Sequence, residues 1–384
     1  MHPNMRAALL DALERCLDEK HHAAKVIQYQ LKHNKKWGSR DRRFFAQTLY
    51  DIVRWRNRLA YAANLEHEEA QPMLNYWLAL KGPNPAPSLL ARWKDPPHPW
   101  LRYAMPQWLY RLGESEYGKI WHGLCDTLNT TAPLFLRANA LKEQDAQSLA
   151  QALAREEIET RIRSPLCVEV LKRSNVFTTQ AFKEGLFEVQ DLGSQDIATF
   201  CDVKPGMRLI DACAGAGGKA LHLGAIMRNK GSLIVMDIHS WKLEEFKKRA
   251  KRAGLHCYQC RLIETAKSIK RLYASGDRVL LDVPCSGSGV FRRKPDSKWK
   301  LSEAGLKQLC ATQAEILDRY AKMVKTGGKM VYATCSLFKC ENQAQILHFL
   351  AHHPGWTLEA ERQHLPETQG SDGFYMARLL KEKA

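Results

Sequence analysis

Residues 208–219 have the sequence RLIDACAGAGGK, in which a short apolar run ends at Asp211 and a glycine-rich turn follows. Gly215, Gly217 and Gly218 lie in this turn. A strand that leads through such a turn into a helix is typical of cofactor-binding α/β domains, because glycine lets the backbone approach a ligand at the amino end of the helix. The segment therefore predicts a Rossmann-like fold.

The surrounding sequence extends this pattern in both directions. From Val203 onward, short apolar runs alternate with amphipathic stretches, which predicts a mostly parallel sheet with helices on both faces. The predicted strands cover residues 208–211, 232–237, 278–282 and 328–334, and the predicted helices cover residues 220–227, 242–253 and 306–324. The expected fold class is α/β, with a doubly wound architecture.

The class of cofactor depends on the residues in and after the turn. A phosphate-binding P-loop requires glycine at position 213 and Ser or Thr at position 220, but these positions hold Cys213 and Ala220, so ATP is not expected. Asp237 ends the second strand, where an acid can accept hydrogen bonds from the ribose of any adenosine-containing cofactor. A dinucleotide and S-adenosylmethionine both satisfy this pattern. The alternative is that Asp237 only caps the next helix.

Two cysteine motifs follow predicted strands farther along the chain. DVPCSG occupies residues 282–287 and ATCS occupies residues 333–336, so Cys285 and Cys335 each come just after a strand. Doubly wound proteins bind ligands at the carboxyl edge of the sheet, and we expect both thiols to reach one substrate there. A single cysteine would more often be a small buried hydrophobic residue. Two cysteines beside a cofactor turn favour catalysis.

Composition limits the partner and the compartment. The chain has 384 residues, with 58 Lys and Arg against 41 Asp and Glu, and its formal net charge of +17 favours a nucleic acid partner over a merely basic soluble protein. No apolar run approaches the roughly 18 residues that a membrane helix needs, so we predict a cytoplasmic protein with no membrane association. Its 11 cysteines are expected to be reduced. Cys257 and Cys260 lack two further zinc ligands, and we predict no metal site.

Basic and aromatic residues form two clusters that can contact RNA. The first follows the Cys285 loop and combines charges that grip phosphate with an indole that can stack on a base; its members are Arg292, Arg293, Lys294, Lys298 and Trp299. The second lies in residues 32–43 around Trp37. This second cluster is either a phosphate-contacting loop or a solvated charged face.

The chain is predicted to contain three domains. Residues 1–129 show helical periodicity, interrupted by a proline-rich loop at residues 81–99. Residues 130–187 alternate between strand and helix signals and predict a small α+β unit. Residues 188–384 contain the doubly wound domain with the glycine turn and both cysteine motifs.

The ordered set of motifs, together with Gln190-Asp191, resembles the Nop/Sun family of RNA cytosine-5 methyltransferases over residues 130–384. The helical part more loosely resembles the NusB-like RNA-binding domain of the bacterial Sun (RsmB-type) rRNA methyltransferases, through residues 38–43. The resemblance implies a class I methyltransferase domain, an RRM-like RNA-binding subdomain at residues 130–187 and S-adenosylmethionine as the cofactor. It also implies an RNA substrate, with rRNA favoured, and we expect a monomer.

The resemblance also assigns roles to particular residues. Cys335 would attack carbon 6 of the target cytosine, Cys285 would assist removal of the carbon 5 proton and enzyme release, Asp282 would contact N3, and Lys219 would lie near the base. The implied cofactor contacts are Asp211, Cys213, Ala214, Gly215, Gly217, Gly218, Lys219, Asp237, Lys242, Glu264 and Asp282. The chain departs from the family pattern at Gly215-Ala216, where Ala-Pro is usual, and at the slightly displaced Glu264.

Three alternatives remain open from the sequence. A tRNA cytosine-5 methyltransferase would use the same chemistry on another RNA. A non-catalytic ribosome assembly factor would keep the basic surface without transferring a methyl group. A DNA cytosine methyltransferase would use Cys285, the cysteine that follows proline, as its nucleophile.

Overall fold

The computed structural model describes residues 1–18, 21–172, 174–366 and 370–382. These residues form two compact units, the first made of Met1–Thr131 and Val290–Leu306 and the second made of Ala132–Gly289 and Lys307–Ala384. The prediction placed residues 290–306 in the doubly wound domain, whereas the structure places them in the first unit. Nothing in the sequence indicated this, because the residues on both sides of 290–306 belong to the second unit and no linker-like composition separates them.

The helices and strands are numbered here in chain order. The helices are α1 (Pro3–Leu17), α2 (Ala23–His33), α3 (Ser39–Arg54), α4 (Arg56–Ala62), α5 (Ala70–Leu80), α6 (Pro87–Lys94), α7 (Pro99–Arg102), α8 (Gln107–Tyr117), α9 (Trp121–Leu128), α10 (Ala146–Ala154), α11 (Gln180–Lys183), α12 (Leu192–Phe200), α13 (Gly218–Ile226), α14 (Ser240–Ala253), α15 (Ala266–Lys270), α16 (Ser297–Lys300), α17 (Glu303–Tyr320) and α18 (Gln343–His352). The strands are β1 (Leu134–Ala138), β2 (Thr160–Ser164), β3 (Cys167–Val170), β4 (Phe187–Val189), β5 (Arg208–Asp211), β6 (Ser232–Asp237), β7 (Tyr258–Leu262), β8 (Gly276–Asp282), β9 (Val324–Thr334), β10 (Trp356–His364) and β11 (Phe374–Lys381).

The first unit is helical, and its core lies along the predicted apolar faces. Leu9 and Leu13 of α1 are buried against Phe45 and Leu49 of α3 in one cluster. Phe44, the residue before Phe45 in α3, is 42% exposed, because adjacent residues on a helix point about 100° apart.

The proline-rich segment at residues 81–99 is not the continuous loop that the prolines suggested. It contains α6, and α7 begins at its last residue, with a proline at the first position of each helix. The first residue of a helix has no intrahelical partner for its N–H, so proline is tolerated there. The loop prediction was therefore wrong for residues 87–94.

The second unit contains two sheets. A four-stranded antiparallel sheet has the order β2-β3-β1-β4 and packs with α10, whose first turn is closed by a capping box between Asp145 and Ser148. A seven-stranded sheet has the order β10-β11-β9-β8-β5-β6-β7. Strands β9, β8, β5, β6 and β7 are parallel neighbours, while β11 is antiparallel to both β9 and β10.

The predicted strands at residues 208–211 and 232–237 coincide with β5 and β6. The hairpin of β10 and β11 was not foreseen, although it closes one side of the sheet. The parallel register brings the last residues of β5, β6, β8 and β9 to one edge of the sheet. That edge carries the candidate site.

Candidate active site

The glycine turn between β5 and α13 requires glycine for two separate reasons. Gly215 and Gly217 have φ angles of 57° and 78°, in the left-handed region that disfavours other residues. A Cβ atom on Gly217 would also lie 2.0 Å from the ring of Phe246 in α14. The turn is thus fitted against its neighbouring helix, and α13 begins at Gly218 with its N–H groups at the site.

Asp237 holds this turn against the end of β6. Its Oδ2 accepts a hydrogen bond from the Gly215 N–H at 2.9 Å, and its Oδ1 accepts one from the His239 N–H at 2.9 Å. Lys242 Nζ lies 3.4 Å from the same carboxylate. The side chain therefore does more than the capping role considered from the sequence, because it joins the cofactor turn to the next strand.

A cavity of about 400 Å³ opens beside Asp237 and lies within the range of small-molecule sites. Of the predicted cofactor residues, the cavity wall includes Cys213, Asp237, Lys242 and Asp282. Its other lining residues are Ala212, Ile238, His239, Ile263, Val283, Pro284, Thr312, Glu315, Ile316, Arg319 and Tyr320.

The wall combines an apolar slot with a carboxylate, which fits an adenosine whose base is buried and whose ribose hydroxyls donate hydrogen bonds. Ile238, Ile263 and Ile316 supply the slot. The described wall includes Ile263 but not Glu264, whose predicted contact with the cofactor stays a proposal.

Lys219 and two aspartates form a charged group at the edge of the sheet. Lys219 Nζ donates to Asp282 Oδ2 at 2.6 Å. Burial alone would lower the pKa of Lys219, but the neighbouring Asp282 raises it above its usual value. Burial, and then the charge of Asp282, raise the pKa of Asp211 to about 8. Apart from a weak contact with the Cys213 backbone, neither Asp211 carboxylate oxygen accepts a hydrogen bond among the described residues, so a cationic ligand group nearby would lower the cost of its burial.

The two motif cysteines meet at this edge. Cys285 follows β8 and Cys335 follows β9, and their sulfur atoms are 3.3 Å apart. The Cys335 N–H also points to the Cys285 sulfur at 3.4 Å. The hydrogen bond with Cys335, followed by burial, raises the pKa of Cys285 well above its usual value. Cys285 is therefore a protonated thiol beside its partner.

A buried glutamate that the sequence analysis missed organises both cysteine loops. Glu341 accepts hydrogen bonds from the Ser286 N–H at 2.7 Å, from the hydroxyls of Ser286 and Ser336 at 2.5 Å each, and from Gln313 Nε2 at 3.0 Å. Gln313 also donates to the carbonyl of Pro284 at 2.9 Å. The serines directly after the two cysteines are thus tied to one carboxylate. The sequence feature that could have indicated this role is a serine directly after each motif cysteine, with an acidic residue, Glu341, soon after the second motif.

Comparison with known proteins is consistent with this geometry. The chain matches the family described as 16S rRNA methyltransferase RsmB/F over residues 198–380, and the RsmF/B-like ferredoxin-like domain over residues 105–176. It is 33% identical over 301 residues to a probable ribosomal RNA small subunit methyltransferase B from Synechocystis sp., covering 73% of this chain and 67% of that protein. The chain belongs to the RsmB/F family.

Other relatives and solved structures agree with this assignment. Ribosomal RNA small subunit methyltransferase B from Serratia proteamaculans is 33% identical to this RsmB/F chain over 296 residues, covering 73% of this chain and 67% of that protein. The crystal structure of PH0851 matches with a TM-score of 0.85 and 23% identity, covering 100% of this chain and 99% of the other. The structure of NSun6 from Pyrococcus horikoshii with SFG matches with a TM-score of 0.67 and 19% identity, covering 73% of this chain and all of that one. These two structures support the fold.

Membership of the RsmB/F family confirms the resemblance and the Rossmann-like fold class. It also makes the chain an S-adenosylmethionine-dependent RNA methyltransferase, as predicted. The described part of the chain contains no helix that is both long and apolar enough to cross a bilayer.

The cluster predicted to bind RNA after the Cys285 loop lies in the first unit of this RsmB/F protein. Lys298 and Arg292 are buried, with exposures of 1% and 4%. Lys298 Nζ donates to Asn129 Oδ1 at 3.0 Å, and Trp299 Nε1 donates to the Val53 carbonyl at 2.7 Å. These side chains anchor residues 290–306 to the helices, so burial contradicts a phosphate contact for Lys298 and Arg292. Arg293 is partly exposed and Lys294 is exposed, and both keep their predicted role as a proposal.

Proposed function

We propose that this RsmB/F protein transfers the methyl group of S-adenosylmethionine to carbon 5 of a cytosine in small-subunit rRNA, through a transient bond between Cys335 and carbon 6 of the base. The main support is the 3.3 Å separation of the Cys285 and Cys335 sulfurs at the ends of two adjacent strands. Asp282 lines the cofactor cavity and is bonded to Lys219, so the cavity and the thiols share one edge. The names of the relatives support rRNA as the substrate class.

The first chemical step makes carbon 5 nucleophilic. The Cys335 thiolate adds to carbon 6, and the electrons of the C5–C6 double bond move into the ring to give an enamine. Asp282 in its protonated form would donate a hydrogen bond or a proton to N3, where negative charge develops, and Lys219, 2.6 Å from the Asp282 carboxyl group, would supply positive charge. Bound S-adenosylmethionine supplies the methyl group that carbon 5 then accepts.

The second step restores the aromatic ring. Cys285 takes the proton from carbon 5, the C5–C6 double bond forms again and the Cys335–C6 bond breaks, which releases the product. The hydrogen bond and the negative charge of Cys335 contribute to the raised pKa of Cys285. These contributions end when the Cys335 sulfur becomes a neutral thioether. Cys285 therefore ionises more readily at the step that requires a base.

Opposed behaviour of the two cysteine variants tests this mechanism. Cys335→Ala is expected to abolish methyl transfer to a small-subunit rRNA transcript and to form no covalent complex. Cys285→Ala is expected to accumulate a protein–RNA adduct, visible as a shifted band on a denaturing gel, because the adduct forms but cannot be resolved. Each assay uses tritiated S-adenosylmethionine, with Cys257→Ala as the matched control away from the site.

Other outcomes identify the alternatives. An adduct that persists in Cys335→Ala would assign the nucleophile to Cys285, as in a DNA cytosine methyltransferase. Methyl transfer to tRNA transcripts but not to rRNA would change the substrate, and RNA binding without transfer by the unaltered protein would favour an assembly factor. Bisulfite sequencing of the product RNA then identifies the modified cytosine.

A further inference from the structure

A second cavity lies in the second unit, separate from the cofactor cavity. Its volume is about 530 Å³, and it opens where the end of β2, α12, α13 and the end of β10 approach one another. Leu166 and Leu192 line its walls, and His222 of α13 reaches it from the interior. None of its lining residues was singled out from the sequence, although residues 163–166 belong to the subdomain that is expected to bind RNA.

His222 is the most unusual group in this cavity. His222 is 3% exposed, and apart from a weak contact with the Gln195 backbone, neither ring nitrogen makes a hydrogen bond of ordinary geometry among the described residues. Burial, and then the charge of Arg137, lower the pKa of His222 well below its usual value, so the imidazole is neutral. Leaving a buried donor or acceptor without a good partner is unfavourable. Such a group in a cavity wall indicates a ligand that supplies the missing partners.

The remaining walls favour a nucleobase over a free anion. A neutral imidazole presents one donor and one acceptor, which suits the edge of a base, whereas an ionised phosphate only accepts hydrogen bonds and would leave the acceptor nitrogen unpaired. The leucine walls suit the faces of a base. At the mouth, the Arg163 and Arg362 side chains are 25% and 51% exposed, so both can meet phosphate even though each is paired with a carboxylate.

The cavity also lies at the same edge of the sheet as the thiols. His364, another lining residue, is paired in register with Phe374 across the β10–β11 hairpin, and Lys219 Nζ lies 5.9 Å from the Phe374 ring. Tyr375, the next residue of β11, pairs with Thr334, which immediately precedes Cys335. An RNA strand whose target base lies at the cysteines can therefore place a nearby nucleotide in this cavity.

We propose that this cavity binds one unstacked base of the RNA substrate close to the target cytosine, with His222 hydrogen-bonded to the base edge and Arg163 and Arg362 at its phosphates. This inference rests on the proposed function, because it concerns the same RNA. It assigns recognition of sequence around the target to a side chain that takes no part in methyl transfer.

The first test compares His222→Leu with the unaltered protein. Leucine removes a buried and poorly paired imidazole, so the melting temperature is expected to stay the same or rise. The affinity for S-adenosylmethionine measured by calorimetry is expected to stay the same. The KM for an unmodified RNA that contains the target cytosine is expected to rise about tenfold, with little change in kcat. His222→Gln, which keeps a donor and an acceptor, is expected to recover part of the loss, and His256→Leu at an exposed position is the matched control.

The second test locates the base. A set of short RNAs is prepared, each with one abasic nucleotide, which is placed in turn at the three positions before and the three positions after the target cytosine. One position is expected to weaken binding to the unaltered protein about tenfold and to have no further effect on His222→Leu. Equal abasic penalties in both proteins, or an unchanged KM in His222→Leu, would overturn the inference while methyl transfer continued. Absence of methyl transfer by the unaltered protein would instead contradict the proposed function.

Discussion

At the scale of single residues, the site depends on polar groups that are buried together. Glu341 has no exposed surface, yet it accepts four hydrogen bonds that link Ser286 to Ser336. The two cysteines precede these serines, so the 3.3 Å sulfur separation depends on a carboxylate that touches neither sulfur. Glu341 is thus a positioning residue.

We expect Glu341→Gln to reduce kcat about 100-fold and to leave the affinity for S-adenosylmethionine unchanged. The glutamine NH₂ group would face donors, and the loss of charge-assisted hydrogen bonds costs about 2 kcal/mol. Single-turnover methyl transfer, calorimetric cofactor binding and denaturant unfolding measure the three effects. Glu245→Gln, the same change at an exposed position of α14, is the control. Normal turnover by Glu341→Gln would show that the loops hold their positions without the carboxylate.

At the scale of elements, the strand–turn–helix unit of β5 and α13 is limited by its contact with α14. Gly215 and Gly217 both have positive φ angles, but only Gly217 faces another side chain, that of Phe246. Substituting each glycine in turn therefore distinguishes the cost of a positive φ angle from the cost of a clash with Phe246.

We expect Gly217→Ala to destabilise the protein by more than 3 kcal/mol and to abolish measurable binding of S-adenosylmethionine, because the new methyl group would overlap the Phe246 ring. Gly215→Ala meets no atom within 4 Å and is expected to cost only about 1 kcal/mol of backbone strain. Chemical denaturation and calorimetry compare the two variants. Equal effects would indicate that φ alone, and not the approach of α14, requires glycine in the turn.

Strands β5, β6 and β8 and the second half of β9 were predicted well because each contains a short apolar run that ends at a polar residue. The parallel edge strand β7 has the sequence YQCRL, which is not such a run. The β10–β11 hairpin was missed because β10 is largely exposed on its outer side and carries polar residues at most positions. The short helix α6 was missed because proline was interpreted as a loop signal where it occupies the first turn of a helix.

At the scale of the whole molecule, the chain leaves the second unit after Gly289 and returns to it at Lys307. The intervening segment contributes Trp299 to the core of the first unit, and its buried Lys298 is bonded to Asn129. Removal from water lowers the pKa of Lys298 well below its usual value. The first unit is therefore incomplete without residues that are distant in sequence.

We expect Trp299→Ala to destabilise the first unit by about 3 kcal/mol, because it leaves a cavity in the core and removes the hydrogen bond to Val53. The affinity for S-adenosylmethionine, which is a property of the second unit, is expected to stay the same. Denaturant unfolding measures the loss of stability, and hydrogen exchange shows which helices lose protection. Lys294→Ala, at an exposed position of the same segment, is the control. Unfolding that is unchanged in Trp299→Ala would show that the segment does not stabilise these helices.

Local pattern was sufficient to predict the α/β class, the glycine turn and both motif cysteines, because strand periodicity, glycine spacing and strand ends are encoded within a few residues. The contacts of Glu341, the burial of His222 in a cavity wall and the burial of Lys298 were decided only by the tertiary structure. Each depends on a partner, or on the lack of one, that is set by how segments far apart in the chain come together, and a buried charge has the same letter in the sequence as a solvated one.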